Sequence, residues 1–484
     1  MSLARSAIRG VGATIAGQWG RLAIQIGATM VLARLLTPED YGLVGMVLAV
    51  TGLAERLKMM GLSTVTVQRR EIDQDQLSFL FWVNVGLGVG FAVVLGALAP
   101  LVSRFYGAPE LTGITVALTV SFVLGGIAAQ HVALLTRRLE FGSLAIIEVL
   151  AILFGSVAAI VAAGLGAGYW ALVVFHVTQP GVRALIAWRR TRWRPKRPAW
   201  AREGWQMLSF GANLGGFELL NYFARHMDNV LIGRYLGAEP LGAYTKAYGL
   251  LLLPVQQIQG PVHRVAVPTL SRLQDDPERF RRFFLTGLRS VAFVVIPLIT
   301  ALAVLAEEVI LILLGDQWTD AISVFQILAF VGMVHALGHS NGWLYIALGN
   351  VRRQLGWSLV EAPLVVLSFV LGLRFGIEGV ATAYAVTMWL LLLPSFWNAT
   401  RGTPVSIPDV IACGLRPAIV SLVGFVSVVA LRSALPPVPV PVSGVILGIA
   451  YLTAVGAAIG VWPSARGDAQ AMVTLLRTGF RGAA

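Results

Sequence analysis

The stretch FLFWVNVGLGVGFAVVLGALAPLVSR, residues 79–104, carries a single ionisable side chain, Arg104, at its last position. As a helix it would reach about 39 Å at 1.5 Å per residue, enough to cross a hydrocarbon core about 30 Å thick. It lacks the polar–apolar alternation of a barrel strand, and its glycines at 86, 88 and 90 sit where helices in a membrane pack closely. Runs of this kind recur at 12–36, 41–63, 111–135, 142–164 and 168–188. After a basic break they resume at 209–236, 241–263, 283–314, 320–348, 355–374, 378–397, 409–431 and 441–462. Fourteen spans of about 22 residues take up roughly two-thirds of a 484-residue chain and leave only short connections.

Composition points the same way. The chain is 57% hydrophobic and 13% charged with a mean hydropathy of +0.76, where soluble domains carry roughly a quarter charged residues. A soluble enzyme is excluded, and the expected fold class is an all-α polytopic membrane protein of about 14 transmembrane helices. Cys413 is the single cysteine, which excludes an intramolecular disulfide and a cysteine-based zinc site. The opening MSLARSAIRG runs straight into the first span without a cleavage motif and does not read as a signal peptide.

The net charge of +13 would indicate nucleic acid in a soluble protein, but here the basic residues lie between apolar runs. They fill every second connection: Arg69–Arg70, Arg137–Arg138, the stretch RRTRWRPKRPAWAR at 189–202, the loop from Arg264 to Arg282, Arg352–Arg353 and Arg401. The intervening connections TPED, YGAPE, GLGAG, GAEP, GDQWTD, FGIE and SALPPVPVP hold almost none. The positive-inside rule makes the basic set cytoplasmic, which places both termini inside, as an even number of spans requires. The 189–202 run then reads as a juxtamembrane patch on anionic lipid, and no nucleic-acid partner is expected. The tail after Pro463 carries Met472, Leu475, Leu476 and Phe480 at helical spacing and is expected to lie on the inner surface. The short outer connections leave no room for the outer domain of a glycan ligase or polymerase.

The chain also resembles itself at an offset of 200 residues. Arg34-x-Leu36-x-x-Glu39-x-x-Gly42 recurs as Arg234-x-Leu236-x-x-Glu239-x-x-Gly242, and Leu53, Val65 and Val67 match Leu253, Val265 and Val267. Six spans separate equivalent points, so the two halves run in the same direction and form a parallel repeat. The expected division is an N-lobe at 1–188, a basic cytoplasmic linker at 189–208 and a C-lobe at 209–400. Two further spans follow at 401–462, then a cytoplasmic amphipathic tail at 463–484.

The segments ARLLTPEDYG (33–42), GAGYWALV (166–173), DNVLIGRYLGAEPLGAYTKAY (228–248), VPTLSRLQDD (267–276) and LGDQW (314–318) carry a family likeness. They resemble the Wzx-type polysaccharide exporters, lipid-linked oligosaccharide flippases of the multidrug/oligosaccharidyl-lipid/polysaccharide superfamily. The resemblance implies two six-helix lobes facing each other across a central cavity, two extra C-terminal helices and alternating access. It implies a polyprenyl-diphosphate-linked glycan as cargo, with membrane lipids, a glycan polymerase and glycosyltransferases as partners, in the inner (plasma) membrane. It implies transport without catalysis, and no cofactor is expected: no Walker loop, HExxH or Gly-x-Ser-x-Gly occurs.

Ionisable groups at membrane depth are costly, so each is a functional candidate. Gln18, Arg21 and Gln25 share one face of the first span, and Glu218, Asn221 and Arg225 occupy the matched positions of the seventh, with Asp228 one turn on. These stripes either line a cavity or join helices by hydrogen bonds. For the implied cargo, Arg21 and Arg225 are the phosphate candidates, because planar guanidinium groups engage phosphate through two hydrogen bonds. Gln18, Gln25 and Asn221 accompany them. Lys246 with Tyr244 and Tyr248 lines the outer part of the eighth span, where the tyrosines either stack on sugars or mark the interface belt. Candidates for a coupling ion are Glu218, Asp228 and Glu55, with Glu148 and Glu361 the other acids at depth. His335 and His339 have the i, i+4 spacing of a shared metal, but no acid or cysteine completes a set. Arg34 with Glu39, and Arg234 with Glu239, either make contacts at an outer rim or cap their own helices. The competing function is a multidrug or cation antiporter of the same fold, whose cavity should be acidic and aromatic.

Overall fold

The computed structural model describes residues 3–59, 62–69, 71–198 and 226–467, with side chains from Gly17 onward except at 53 and 55–64. Every apolar run within these residues is helical and no strand occurs among them. Nine helical stretches among the described residues are long and apolar enough to cross a membrane. The protein is a multi-pass, all-α membrane protein.

Two compact units divide the chain, Met1–Gly242 and Ala243–Ala484. The first holds α1 (Leu3–Leu35), α2 (Pro38–Met59), α3 (Leu62–Gln68), α4 (Gln74–Tyr106), α5 (Glu110–Arg137), α6 (Phe141–Gly164), α7 (Trp170–Thr191) and α8, described over 226–235. α1 packs on α6, α6 on α7, α7 on α5 and α5 on α4. Local chemistry fixes where these helices begin. Asp73 accepts the Gln76 N–H at 2.7 Å while its own N–H donates to Gln76 Oε1 at 3.3 Å, a reciprocal cap that starts α4, with Asp75 in its first turn.

In the 34–42 turn, Asp40 accepts the Thr37 N–H at 2.9 Å and donates its own N–H to Thr37 Oγ1 at 3.2 Å. Thr37 and Asp40 thus start α2, and Glu39 is exposed. The matched glycines bring the two repeat turns into backbone contact within this unit. A Cβ on Gly42 would collide with the Ala238 carbonyl, and one on Gly242 with the Pro38 carbonyl, so only glycine allows this approach. The Arg234 guanidinium lies instead over the rings of Phe105 and Tyr235, 5.7 Å from each centroid.

The second unit contains most of α9 (Ala238–Arg272), then α10 (Pro277–Val304), α11 (Ala306–Leu313), α12 (Asp320–Gly338), α13 (Asn341–Ala347), α14 (Val351–Gly372), α15 (Gly376–Thr400), α16 (Ile407–Ala434) and α17 (Val440–Val461). Its core stacks α10 on α12 and α16, α12 on α15, and α16 on α17. Two apolar runs that read as single spans are each broken in two. The run at 283–314 would be about 48 Å long as one helix, and it breaks at Leu305, where Glu307 and Glu308 enter the electropositive first turn of α11. The run at 320–348 breaks after Gly338, where His339 Nδ1 lies 2.8 Å from the His335 carbonyl and Ser340 Oγ donates to the Leu337 carbonyl at 2.7 Å. Side chains that take up helix carbonyls in this way compete with helix continuation.

Candidate functional site

Three charges from three helices meet in the first unit. α1 and α6 approach where Gly17 faces Ala145, so closely that a Cβ on Gly17 would stand 2.8 Å from the Ala145 Cβ. One turn further along both helices, Arg21 Nη1 lies 3.6 Å from Glu148 Oε2. From α7, Arg183 Nη2 donates to that same oxygen at 2.6 Å. Two guanidinium groups therefore share one carboxylate oxygen, leaving the cluster one positive charge in excess. Glu148 is seven residues into α6 and Arg183 eight residues before the end of α7, about 10–12 Å from those helix ends. Both positions lie about two turns inside helices long and apolar enough to cross a hydrocarbon core about 30 Å thick.

The cluster is neither closed nor fully satisfied. Side-chain exposure is 50% for Arg21, 31% for Arg183 and 30% for Glu148. Among the described residues the buried Arg183 Nε–H has no hydrogen-bond acceptor. A guanidinium with a spare donor beside a shared carboxylate is a ready acceptor of a second anion, because charge-assisted pairs with phosphate or carboxylate are the strong ones. Gln18 and Gln25 flank Arg21 on α1, both half-buried.

Arg183 was not among the residues the sequence singled out. It lies within the 168–188 run but only six residues before the basic stretch at Arg189, and so merges with the charged end of that span. The signal that finds it is its position inside an apolar run, the criterion that selects Arg21.

The other candidates fall elsewhere. Glu218, Asn221 and Arg225, and the side chain of Glu55, lie outside the described residues. Asp228, in α8, is buried, and its Oδ1 accepts the Asn229 N–H at 2.7 Å. On α9, Tyr244 is fully buried with its ring 6.1 Å from that of Tyr248, whose hydroxyl meets the Tyr384 hydroxyl of α15 at 3.4 Å. Lys246 is half-buried between these tyrosines in sequence. The His335 and His339 rings meet edge to face at 5.2 Å.

The start of the basic linker is a strap on α4. Trp193 Nε1 donates to Gln74 Oε1 at 2.6 Å, Gln74 Nε2 to the Arg194 carbonyl at 2.8 Å and Trp82 Nε1 to the Lys196 carbonyl at 2.8 Å. Trp193 points in while Arg192, Arg194 and Arg197 remain exposed, so docking the strap leaves its positive face free.

Residues 31–323, more than half of the chain, match the family profile described as "Polysaccharide biosynthesis protein". The chain is 28% identical over 422 residues to the lipopolysaccharide biosynthesis protein WzxC of Escherichia coli strain K12, covering 84% of each. It is 27% identical over 328 residues to the succinoglycan biosynthesis transport protein ExoT of Rhizobium meliloti strain 1021, covering 67% of this chain and 66% of that one. Among solved structures it shares its fold with the lipid II flippase MurJ in an inward closed conformation. There the TM-score is 0.73 at 14% identity, over 93% of this chain and 99% of that one. With a membrane fold of that type and a profile match across both units, the chain belongs to the polysaccharide biosynthesis protein family.

Proposed function

We propose that the protein is a flippase, not an enzyme, that moves a lipid-linked oligosaccharide or exopolysaccharide repeat unit from the inner to the outer leaflet by alternating access. The observation that carries this reading is the Arg21–Glu148–Arg183 cluster: a net positive, half-open site at membrane depth. A neutral sugar gains little from arginines held there, and an organic cation would be repelled by them. A lipid-linked diphosphate gains most, since it can replace Glu148 as the anionic partner of both guanidinium groups. The names of the relatives, which concern polysaccharide biosynthesis and transport, agree with such a cargo.

In this reading Arg225 is a further phosphate ligand, Glu218, Asp228 and Glu55 are candidates for a coupling ion, and Lys246, Tyr244 and Tyr248 flank the glycan path. The protein lies in the inner membrane with both termini cytoplasmic and fourteen spans. The lobes are 1–188 and 209–400, joined by the 189–208 linker and followed by the 401–462 pair and the 463–484 tail. Glycosyltransferases and a glycan polymerase act before and after it. The interlocked turns at Gly42 and Gly242 separate when the outer side opens. Cysteines at 39 and 239 in a Cys413→Ser background should cross-link and block export.

The decisive experiment measures surface glycan in a strain that depends on this protein, alongside efflux of a lipophilic dye cation. Arg21→Ala and Arg183→Ala should each abolish surface glycan with the protein still in the membrane. Full glycan export by both variants would overturn the reading, and dye efflux in its place would favour the antiporter.

A further inference from the structure

Each arginine that reaches Glu148 has a glutamine one helical turn away. On α1 it is Gln25, four residues after Arg21, and on α7 it is Gln179, four residues before Arg183. Both are displaced in the same direction. α1 and α6 run parallel here, since Gly17 faces Ala145 and Arg21 meets Glu148. α6 and α7 run antiparallel: beyond the Glu148–Arg183 contact, a Cβ on Gly155 would stand 3.4 Å from the Gln179 Cβ. Gln25 and Gln179 therefore both lie about 6 Å from their arginines, towards the C-terminal end of α6.

Neither amide joins one helix to another. Both residues are half-buried, and among the described residues neither side chain has a hydrogen-bond partner. Gln179 sits inside a helix long and apolar enough to cross a membrane. An amide held there with no protein partner is costly unless it meets water or a polar ligand. The side they occupy is not the one turned to lipid. On α7 the exposed Leu185 follows Arg183 by two residues and so points the opposite way, and on α6 the exposed Leu153 and Val157 lie on the side away from Glu148 and Gly155.

We propose that Gln25 and Gln179 bind the sugar joined directly to the lipid diphosphate, a subsite that rests on the phosphate reading of the Arg21–Glu148–Arg183 cluster. With the diphosphate held by the two arginines, the first sugar follows after one short linkage, which places its hydroxyls about one helical turn away. A primary amide offers two donors and a carbonyl acceptor, the complement of neighbouring sugar hydroxyls, and two amides from different helices can hold one ring from two sides. A bare polyprenyl diphosphate leaves both amides idle. Sites built to hydrogen-bond a hydroxyl discriminate against the analogue that lacks it, so the pair selects the loaded carrier over the empty one.

Binding to the full-length protein in nanodiscs, measured with two probes, tests the subsite. One probe is bare polyprenyl diphosphate; the other is the lipid-linked glycan extracted from cells deleted for this protein. The wild type should bind the glycan-bearing lipid more tightly than the bare one. Gln179→Leu should lower the ratio of the two affinities about fivefold, and Gln25→Leu with Gln179→Leu about twenty-five-fold, as expected for one and two neutral hydrogen bonds. Because the readout is a ratio within one variant, loss of folded protein does not imitate it. Arg183→Ala should weaken both probes alike. Equal affinity of the wild type for the two probes, or an unchanged ratio in the double glutamine variant, would overturn the sugar subsite and leave the phosphate site standing. Unchanged binding of the bare lipid by Arg183→Ala would instead overturn the phosphate reading beneath it.

Discussion

Two clusters of three charges, one in each unit, look alike on a list of distances and differ in everything else. In the first, Arg21 and Arg183 share one oxygen of Glu148, the sum is +1, and all three side chains are between 30% and 50% exposed. In the second, Arg432 of α16 donates to both oxygens of Glu308 on α11, at 2.7 and 2.5 Å, and Ser443 of α17 donates to Oε1 at 2.9 Å. Glu307 adds a further contact to Arg432 at 3.6 Å, the sum is −1, and Glu308 is only 6% exposed. The first cluster has an idle donor on its arginine; in the second the central carboxylate is buried and bonded on both oxygens, and only Arg432 and Glu307, 36% and 53% exposed, reach the surface. Burial with complete hydrogen bonding characterises a pin between helices, here fastening α16 and α17 to α11. Burial with a donor left over characterises a binding site.

The largest effect that sharpens this contrast is Arg183→Ala. Export of surface glycan should fall about a hundredfold, equivalent to roughly 2.7 kcal/mol, because the strongest of the two arginine contacts to Glu148 and the spare Nε–H both go. Thermal stability of the purified protein should change little by comparison. Arg432→Ala should behave in the opposite way. It strands a carboxylate that is almost fully buried, which costs about 3 kcal/mol, and export per folded molecule should remain close to normal. An Arg432→Ala protein that is as stable as wild type but silent in export would break the distinction.

A second pair of variants asks what the charges are for. Glu308→Leu with Arg432→Met should regain most of the stability lost by the single change, since apolar side chains of similar volume often replace a buried ion pair without loss. The corresponding change in the first unit, Arg21→Met with Glu148→Leu and Arg183→Met, should also fold, but should export nothing. Recovery of export by the apolar triple variant would show that the first cluster, too, is only a pin.

How much of this was readable beforehand follows from where each partner sits. The helices were legible because a 30 Å apolar slab leaves its length directly in the sequence, as in residues 79–104. The Gln18–Arg21–Gln25 stripe was legible because i, i+3, i+7 spacing fixes a common face whatever the helix packs against. The meeting of Arg21 with Glu148 and Arg183 was not, because it depends on which helices become neighbours, and the three residues come from α1, α6 and α7. Gly17, which lets α1 approach α6, is one of 52 glycines and has no mark of its own. The breaks at Leu305 and His339 were hidden for the opposite reason. The polar residues around them, Glu307-Glu308 and His339-Ser340-Asn341, are too few to stand out within runs of about thirty residues, and the interruption comes from carbonyls taken up by His339 and Ser340 and from charges entering the α11 N-terminus.

Gly17 offers an intermediate effect. Gly17→Leu pushes α1 off Ala145 and carries Arg21, one turn away, out of reach of Glu148 while leaving all three charges in place. Export should fall about tenfold, less than for Arg183→Ala, because Arg183 stays bonded to Glu148. Gly17→Ala should lie between Gly17→Leu and wild type. Unchanged export with Gly17→Leu would mean that the Arg21 contact does not matter to transport.

The smallest effect is the one that isolates what distance does not measure. Lys196 Nζ lies 2.7 Å from Asp75 Oδ1, as close as Arg432 lies to Glu308 Oε1. Its side chain is 59% exposed and that of Asp75 68%. Water solvates both ions before and after they meet, so the bond replaces hydration of nearly equal strength, and two long side chains lose freedom in making it. An exposed pair of this kind contributes about 0–1 kcal/mol. The strap itself is held by Trp193, Gln74, Trp82 and Ser78, none of which Lys196→Ala disturbs. Lys196→Ala should therefore leave thermal stability within about 0.5 kcal/mol of wild type and glycan export unchanged. Raising the salt concentration, which screens exposed charges, should make even that difference vanish. If Lys196→Ala instead cost as much as Arg432→Ala, contact distance rather than burial would be setting the strength of ion pairs in this protein, and the contrast between its two charge clusters would lose its physical basis.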